Sequence, residues 1–329
     1  MLPVKSAKFL VGALVLITAF SLFSLSNSFC SSQDKRKTQA QAHYMMGLFY
    51  ENQEKFDEAI PEYGQAGALE KDISAIHLHL GSVFMRKGDF KKAAEELEEA
   101  KKLGAPEDLD AGLMLGLIYS AQNSQDKAAR EYEEVLKKAA GQEPKNIYIL
   151  KSLAAVYYQQ KKIENAISTY KLILDIDKNN YEAIFLLGSL LEESGMRLEA
   201  INKFKEALSL NPGYPEALNS LGYVYAEGGE NLSEAEDLIK KALLAEPDNG
   251  AYIDSLGWVY FKKDLTDKAI EQLEKASALL SDPVIYEHLG EAYLKNGFPD
   301  KAGSAWEKSL ELDSGQEKVR EKLNRLKNK

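Results

Sequence analysis

One glycine returns along this chain at an almost constant interval, and that return constrains the fold more than any other feature. The position is occupied by Gly47, Gly81, Gly116, Ala154, Gly188, Gly222, Gly257 and Gly290, at spacings of 34, 35, 38, 34, 34, 35 and 33 residues. Each lies inside a run with helical periodicity, as in Ser255–Ala276, SLGWVYFKKDLTDKAIEQLEKA. A glycine in a helix interior costs about 1 kcal/mol against alanine. A chain that accepts the cost seven times must recover it in packing.

Three linked positions repeat with it. Three residues after each glycine position stand Tyr50, Phe84, Tyr119, Tyr157, Leu191, Tyr225, Tyr260 and Tyr293. Twelve or thirteen residues after it stand Ala59, Ala93, Ala128, Ala166, Ala200, Ala235, Ala269 and Ala302. Four further on comes a bulky side chain: Tyr63, Leu97, Tyr132, Tyr170, Phe204, Ile239, Leu273 or Trp306. This is the pattern of a helical hairpin. Two antiparallel helices approach closely where a side chain is almost absent, and larger side chains fill the space around that point. Short turns such as Gln53-Glu54-Lys55 and Lys262-Lys263-Asp264 join the helices. Asp57, Asp126, Glu164, Ser233, Asp267 and Asp300 fall in the opening turn of second helices, where acids oppose the positive helix end and serine can cap. Asn179-Asn180, Asn211-Pro212 and Pro247-Asp248-Asn249 read as turns that end units.

The period and the linked positions resemble the tetratricopeptide repeat family, whose unit is a 34-residue helix-turn-helix. The resemblance implies an all-α fold: a right-handed α-solenoid of about eight repeats with a C-terminal capping helix. The repeats are expected over residues 40–315, starting near Ala40, Ser74, Leu109, Ile147, Tyr181, Pro215, Gly250 and Pro283. Residues 316–329 are expected to cap the stack, and residues 31–39 to be a linker. The chain departs from the family pattern at Ala154, at the extra Gln142-Glu143-Pro144-Lys145, and at one residue added between Glu227 and Ser233.

The resemblance also implies how such a chain works, by binding protein segments along the concave face lined by first helices. The residues expected to hold a partner there are Tyr148, Tyr158, Phe185, Tyr223, Trp258, Phe261 and the acidic Asp254. Exposed aromatics anchor partner side chains, and acids disfavour acidic partners. The family's carboxylate clamp needs lysine and asparagine at set groove positions. Its asparagine position here reads Leu48, Ser82, Leu117, Ala155, Ser189, Tyr223, Trp258 and Glu291, so acidic carboxylate tails are not expected as partners.

Charge narrows the partners further. The net charge is −10, and Lys35-Arg36-Lys37 is the one basic run. Nucleic-acid affinity depends on lysine and arginine neutralising phosphates, so nucleic acid is not expected. The chain shows no HExxH, GxSxG or Walker-type loop. Of its four histidines, His77 and His79 point in different directions on a helix, and His43 and His77 fall near the helix-pair packing face. No enzyme, cofactor, metal or small-molecule substrate is expected.

Residues 1–30 stand apart, with Lys5 and Lys8 followed by an apolar run over residues 9–23. That is the layout of a bacterial signal peptide or membrane anchor. Three outcomes remain open: cleavage after small residues near Ser26 or Ser28, lipidation at the single cysteine, Cys30, or an uncleaved anchor over residues 9–29. A bacterial lipoprotein carries a small residue before its cysteine, where this chain has Phe29. Basic residues flank both sides of the apolar run, so orientation is undecided. The reading is a membrane-tethered adaptor in the bacterial cell envelope with its repeats in the periplasm, serving envelope biogenesis, secretion or polysaccharide export. The alternative is a regulatory subunit facing the cytoplasm.

Overall fold

A computed structural model of the chain describes residues 32–104 and 108–328. The signal or anchor expected over residues 1–30, including Cys30, lies outside the described residues. All regular structure among the described residues is helical, and it falls into two compact units that divide between Pro144 and Lys145.

The first unit holds α1 (residues 32–52), α2 (Phe56–Leu69), α3 (Ser74–Arg86), α4 (Phe90–Leu103), α5 (Asp108–Ala121) and α6 (Gln125–Gln142). Three antiparallel hairpins result. The helix α1 corrects the expected linker, because residues 32–39 are helical and run without a break into the first repeat. They contain no glycine or proline and are mostly good helix formers. The extra chain before the fourth repeat is likewise partly helical. Only its Gln142 lies in α6, which has 18 residues where the other second helices have 14.

The second unit holds α7 (Ile147–Gln159), α8 (Ile163–Ile176), α9 (Tyr181–Glu193), α10 (Arg197–Leu210), α11 (Pro215–Gly228) and α12 (Leu232–Ala245). It continues through α13 (Gly250–Lys262), α14 (Thr266–Leu279), α15 (Pro283–Lys295), α16 (Pro299–Leu312) and α17 (Glu317–Lys327). These are five hairpins and a final single helix, so the repeat starts read from the sequence hold here to the residue. Within each unit every second helix packs on its own first helix and on the next one, which is the connectivity of an α-solenoid.

The repeated positions behave as a lock. The eight alanines of the second helices are all essentially inaccessible to solvent. Each glycine faces the bulky residue of its partner helix. A Cβ added to Gly47 would stand 2.6 Å from the Tyr63 ring, one on Gly81 2.5 Å from Leu97 Cγ, and one on Gly188 2.8 Å from the Phe204 ring. The bulky side chain therefore lies on the bare glycine, and does not merely fill space beside it. Between hairpins the core is built from triples such as Ile184, Ala207 and Ala217, or Ile253, Ala276 and Ile285, with the second helix wedged between successive first helices.

Turn chemistry sets the hairpins. Each turn contains a residue in left-handed conformation, among them Glu54, Gly88, Asn123, Lys161, Gly195, Asp264 and Gly297. The sixth turn absorbs its added residue with two, Gly229 and Asn231. Asn146, Asn180, Asn249 and Asp282 cap first helices by accepting amide N–H bonds. The expected cap at Ser233 is not formed. That residue lies inside α12, which starts at Leu232, so its hydroxyl is past the capping position. Among the described residues no helix is long and apolar enough to cross a membrane.

Candidate partner-binding face

The expected partner-binding residues all belong to the second unit, on its first helices α7, α9, α11 and α13. The structure separates them into three groups.

Tyr148 and Tyr158 on α7 are open to solvent, at 84% and 52% exposure. Nothing in the hairpin needs these rings, since Leu150, Leu153, Ala154 and Tyr157 already face the core. They remain available to a partner. Phe185 on α9 is half-buried: its ring packs 5.8 Å from Phe204 and 5.2 Å, edge-on, from Tyr214. It serves the joint between the fifth and sixth repeats at least as much as any surface.

The remaining four gather around a histidine that sequence reasoning did not select. His288 on α15 is buried and bonds through Nδ1 to both carboxylate oxygens of Asp254 on α13, at 3.0 and 3.1 Å. The Trp258 ring stacks on it at 4.0 Å with an interplanar angle of 14°. Phe261 also stacks on Trp258, at 4.7 Å, and Tyr223 lies 6.3 Å from the imidazole. Trp258 Nε1 donates to Glu227, and Lys262 sits over the indole.

This overturns the expectation that Trp258 and Asp254 stand exposed in a groove. They are 8% and 6% exposed. The reason is that α11, α13 and α15 pack directly on one another, so their facing side chains become a seam between repeats. A buried carboxylate needs a compensating donor, and His288 supplies it. The only sequence signal is that an acid on one first helix is followed 34 residues later by a histidine, which places them side by side in a solenoid of this period.

The first-helix face is electrostatically negative at Glu192 and Glu193 on α9. Burial, then the charges of Glu193 and Glu227, raise the Glu192 carboxyl above its usual range, with Arg197 opposing. Burial also pushes the Tyr223 hydroxyl well above its ordinary value, reinforced by Glu227 and Asp254. The other histidines are tied to single carboxylates: His43 to Glu62 at 2.7 Å, His77 to Glu96 at 2.8 Å and His79 to Glu51 at 2.9 Å. Among the described residues no group of three His, Cys, Asp or Glu is placed to hold a metal ion.

Stacked helical hairpins locked by glycine and presenting first-helix side chains define a helical-repeat scaffold. Four family models, each described as tetratricopeptide repeat, match residues 44–108, 110–141, 150–180 and 191–257, together more than half of the sequence. The chain belongs to the tetratricopeptide repeat family. It is 27% identical over 255 residues to a TPR repeat-containing protein of Pseudomonas aeruginosa, covering 76% of this chain and 36% of that protein. It is also 27% identical over 290 residues to BBSome complex member BBS4 of Bos taurus, covering 85% of this chain and 51% of that one. The chain thus spans between about a third and a half of the length of these relatives. A tetratricopeptide repeat protein from Parabacteroides merdae has a similar fold, with a TM-score of 0.61 at 21% identity, covering 77% of this chain and 98% of that one.

Proposed function

We propose that this chain is a non-enzymatic scaffold that holds protein partners on the first-helix face of its repeats, tethered to a bacterial membrane through its N-terminal apolar segment. The repeats would face the periplasm and serve an assembly in envelope biogenesis, secretion or polysaccharide export. The observation that carries the binding role is the pair Tyr148 and Tyr158, large aromatic side chains on a rigid helix with no packing duty. A preformed surface of this kind lowers the ordering cost of association. The tether rests on the basic start and apolar run over residues 9–23, ahead of Cys30.

A photo-crosslinking residue at Tyr148, introduced in living cells, tests the binding role. Crosslinks to other proteins are expected there, while the same residue at the buried Trp258 is expected to react only within the chain. Intrachain products alone at Tyr148 overturn the role. A C-terminal reporter that works only in the periplasm tests the topology, and its silence favours the cytoplasm-facing alternative. Labelled palmitate incorporation that disappears in Cys30→Ser distinguishes lipidation from the other two fates of the N-terminus.

A further inference from the structure

Where α11, α13 and α15 meet, aromatic rings close the first-helix face. One step earlier it stays open. First helices α9 and α11 approach each other much less closely than α11 and α13 do. A pocket of about 420 Å³ lies there, reached from α7 as well, and its polar lining includes Tyr158, Ser189, Glu192, Glu193, Asn219 and Tyr223.

The lining is unbalanced in one direction. Two adjacent carboxylates face it: Glu193 accepts a hydrogen bond from the Tyr158 hydroxyl, and Glu192 is opposed by the charge of Arg197. The nearby base, Arg197, opposes the Glu192 charge only in part, because its guanidinium donates to the Val224 carbonyl at 2.7 Å and lies against Gly228. The Glu193 charge raises the Tyr158 hydroxyl above its ordinary value. Burial and like charge raise Glu192. Asn219 Oδ1 is buried without a hydrogen-bond donor. A buried acceptor left unsatisfied is costly. Crowded carboxylates and an idle acceptor are relieved by the same thing, a positively charged donor, and two tyrosine rings beside them favour that charge further.

We infer that this pocket receives a lysine or arginine side chain from an extended segment of a partner protein. Glu192 and Glu193 meet the charge, Asn219 Oδ1 accepts one N–H, and Tyr158 and Tyr223 flank the side chain. Among the described residues no third His, Cys, Asp or Glu joins the two carboxylates to form a metal-holding group. The volume is at the small end of ligand pockets and takes one long side chain with water. The net charge of −10 draws basic segments toward the surface before they dock. The inference rests on the scaffold reading, because it names what part of a partner the open face recognises.

The test uses the full chain with isotope-labelled tyrosine, followed by NMR. It is titrated separately with Nα-acetyl-lysine methylamide, Nα-acetyl-arginine methylamide, the neutral Nα-acetyl-norleucine methylamide, and spermidine. The Tyr158 and Tyr223 signals are expected to move with the two basic amides and not with norleucine. Glu192→Gln with Glu193→Gln is expected to weaken the response about tenfold. Asn219→Ala is expected to weaken it severalfold with an unchanged circular dichroism melt. An equal response to norleucine, no response to either basic amide, or an unaltered response in the double variant overturns the inference. Spermidine binding far above both amides reassigns the pocket to a small polycation and overturns it as well. The Tyr148 crosslinker, placed outside the pocket lining, separates the two readings. Protein crosslinks there with a silent pocket overturn the inference alone. A responsive pocket without such crosslinks overturns the scaffold reading, and with it the protein source of the cation.

Discussion

Gly257 lies directly beneath Leu273. A Cβ on the glycine would stand 2.7 Å from Leu273 Cγ and 3.3 Å from the carbonyl oxygen of Ala269. Leu273 has no accessible surface and cannot swing away, and the carbonyl belongs to helix backbone. Gly257→Ala gains about 1 kcal/mol of helix propensity but incurs an overpacking cost of about 1–3 kcal/mol. The expected outcome is a net loss of about 1 kcal/mol, read as a lower urea midpoint for the second unit. A raised midpoint would mean that the hairpin is not closed through this contact.

Gly64 is the internal control. It sits in the middle of α2 with nothing within 4 Å of where its Cβ would be. Gly64→Ala therefore keeps the propensity gain and meets no clash. It is expected to stabilise the first unit by about 0.5–1 kcal/mol. Opposite signs for the same chemical change at Gly64 and Gly257 separate glycine kept for close approach from glycine that packing does not require.

The buried pair Asp254–His288 predicts a stronger effect. Each side chain has under a tenth of its surface accessible, and the imidazole is also the platform for Trp258. Removing one partner leaves the other polar group stranded, a change that costs about 3 kcal/mol. Asp254→Ala is expected to destabilise the second unit by that order and to alter tryptophan fluorescence. His288→Phe preserves a ring for Trp258 but strands the carboxylate, so it is expected to be nearly as damaging. The double variant is expected to be more stable than the sum of the two, because no unpaired group remains. Strict additivity would sever the link between the two residues.

The repeat was legible because its signal is periodic. Gly222 and Ile239, or Gly290 and Trp306, are separated by a distance in sequence that a hairpin converts into contact. Helix starts from Ser74 onward follow from the same register to within one residue. The helical character of residues 32–39 was missed because no apolar stripe marks them and the repeat pattern has not yet begun. The face was harder to read. Register placed Tyr158 and Trp258 alike on the first-helix face, yet one is open and the other sealed. The difference comes from how closely neighbouring first helices approach, which depends on side chains in other repeats. Glu192 and Asn219 occupied the right register too. Only the structure shows that Asn219 Oδ1 has no donor and that Glu192 remains raised despite Arg197.

Glu236 on α12 gives a pH signature. Its carboxylate accepts from Lys240 at 2.5 Å and from Lys263 at 2.6 Å, and these bonds, Lys240 first, lower its pKa to about 2. A folded pKa below the unfolded one means stability that is present above about pH 4.5 and is lost as pH falls toward 2. The full shift would correspond to about 3 kcal/mol. Because the Lys240 side chain is half exposed, solvent screening reduces this to about 1 kcal/mol. Glu236→Gln is expected to be less stable than the parent by that amount at pH 7 and equally stable near pH 2. Urea midpoints across that range check it, and a gap that persists at low pH would assign the effect to packing.

The final helix tests the solenoid argument at its end. α17 buries Val319 and Leu323 against the eighth repeat, and Lys322 reaches back to Glu287 and Glu291 on α15 at 2.9 and 2.5 Å. Without α17 the outer side of the eighth hairpin would lose its apolar cover, and a repeat with an uncovered apolar face is sticky. Leu323→Ala removes most of one buried side chain and is expected to cost about 2–3 kcal/mol in the second unit. Val319→Asp places a carboxylate where there is no donor for it and is expected to release the helix altogether. The measurement is hydrogen exchange along α15 and α16 together with light scattering. Faster exchange confined to these helices, with concentration-dependent association, is the expected result. Unchanged exchange in Val319→Asp would show that the eighth repeat is complete without its cap.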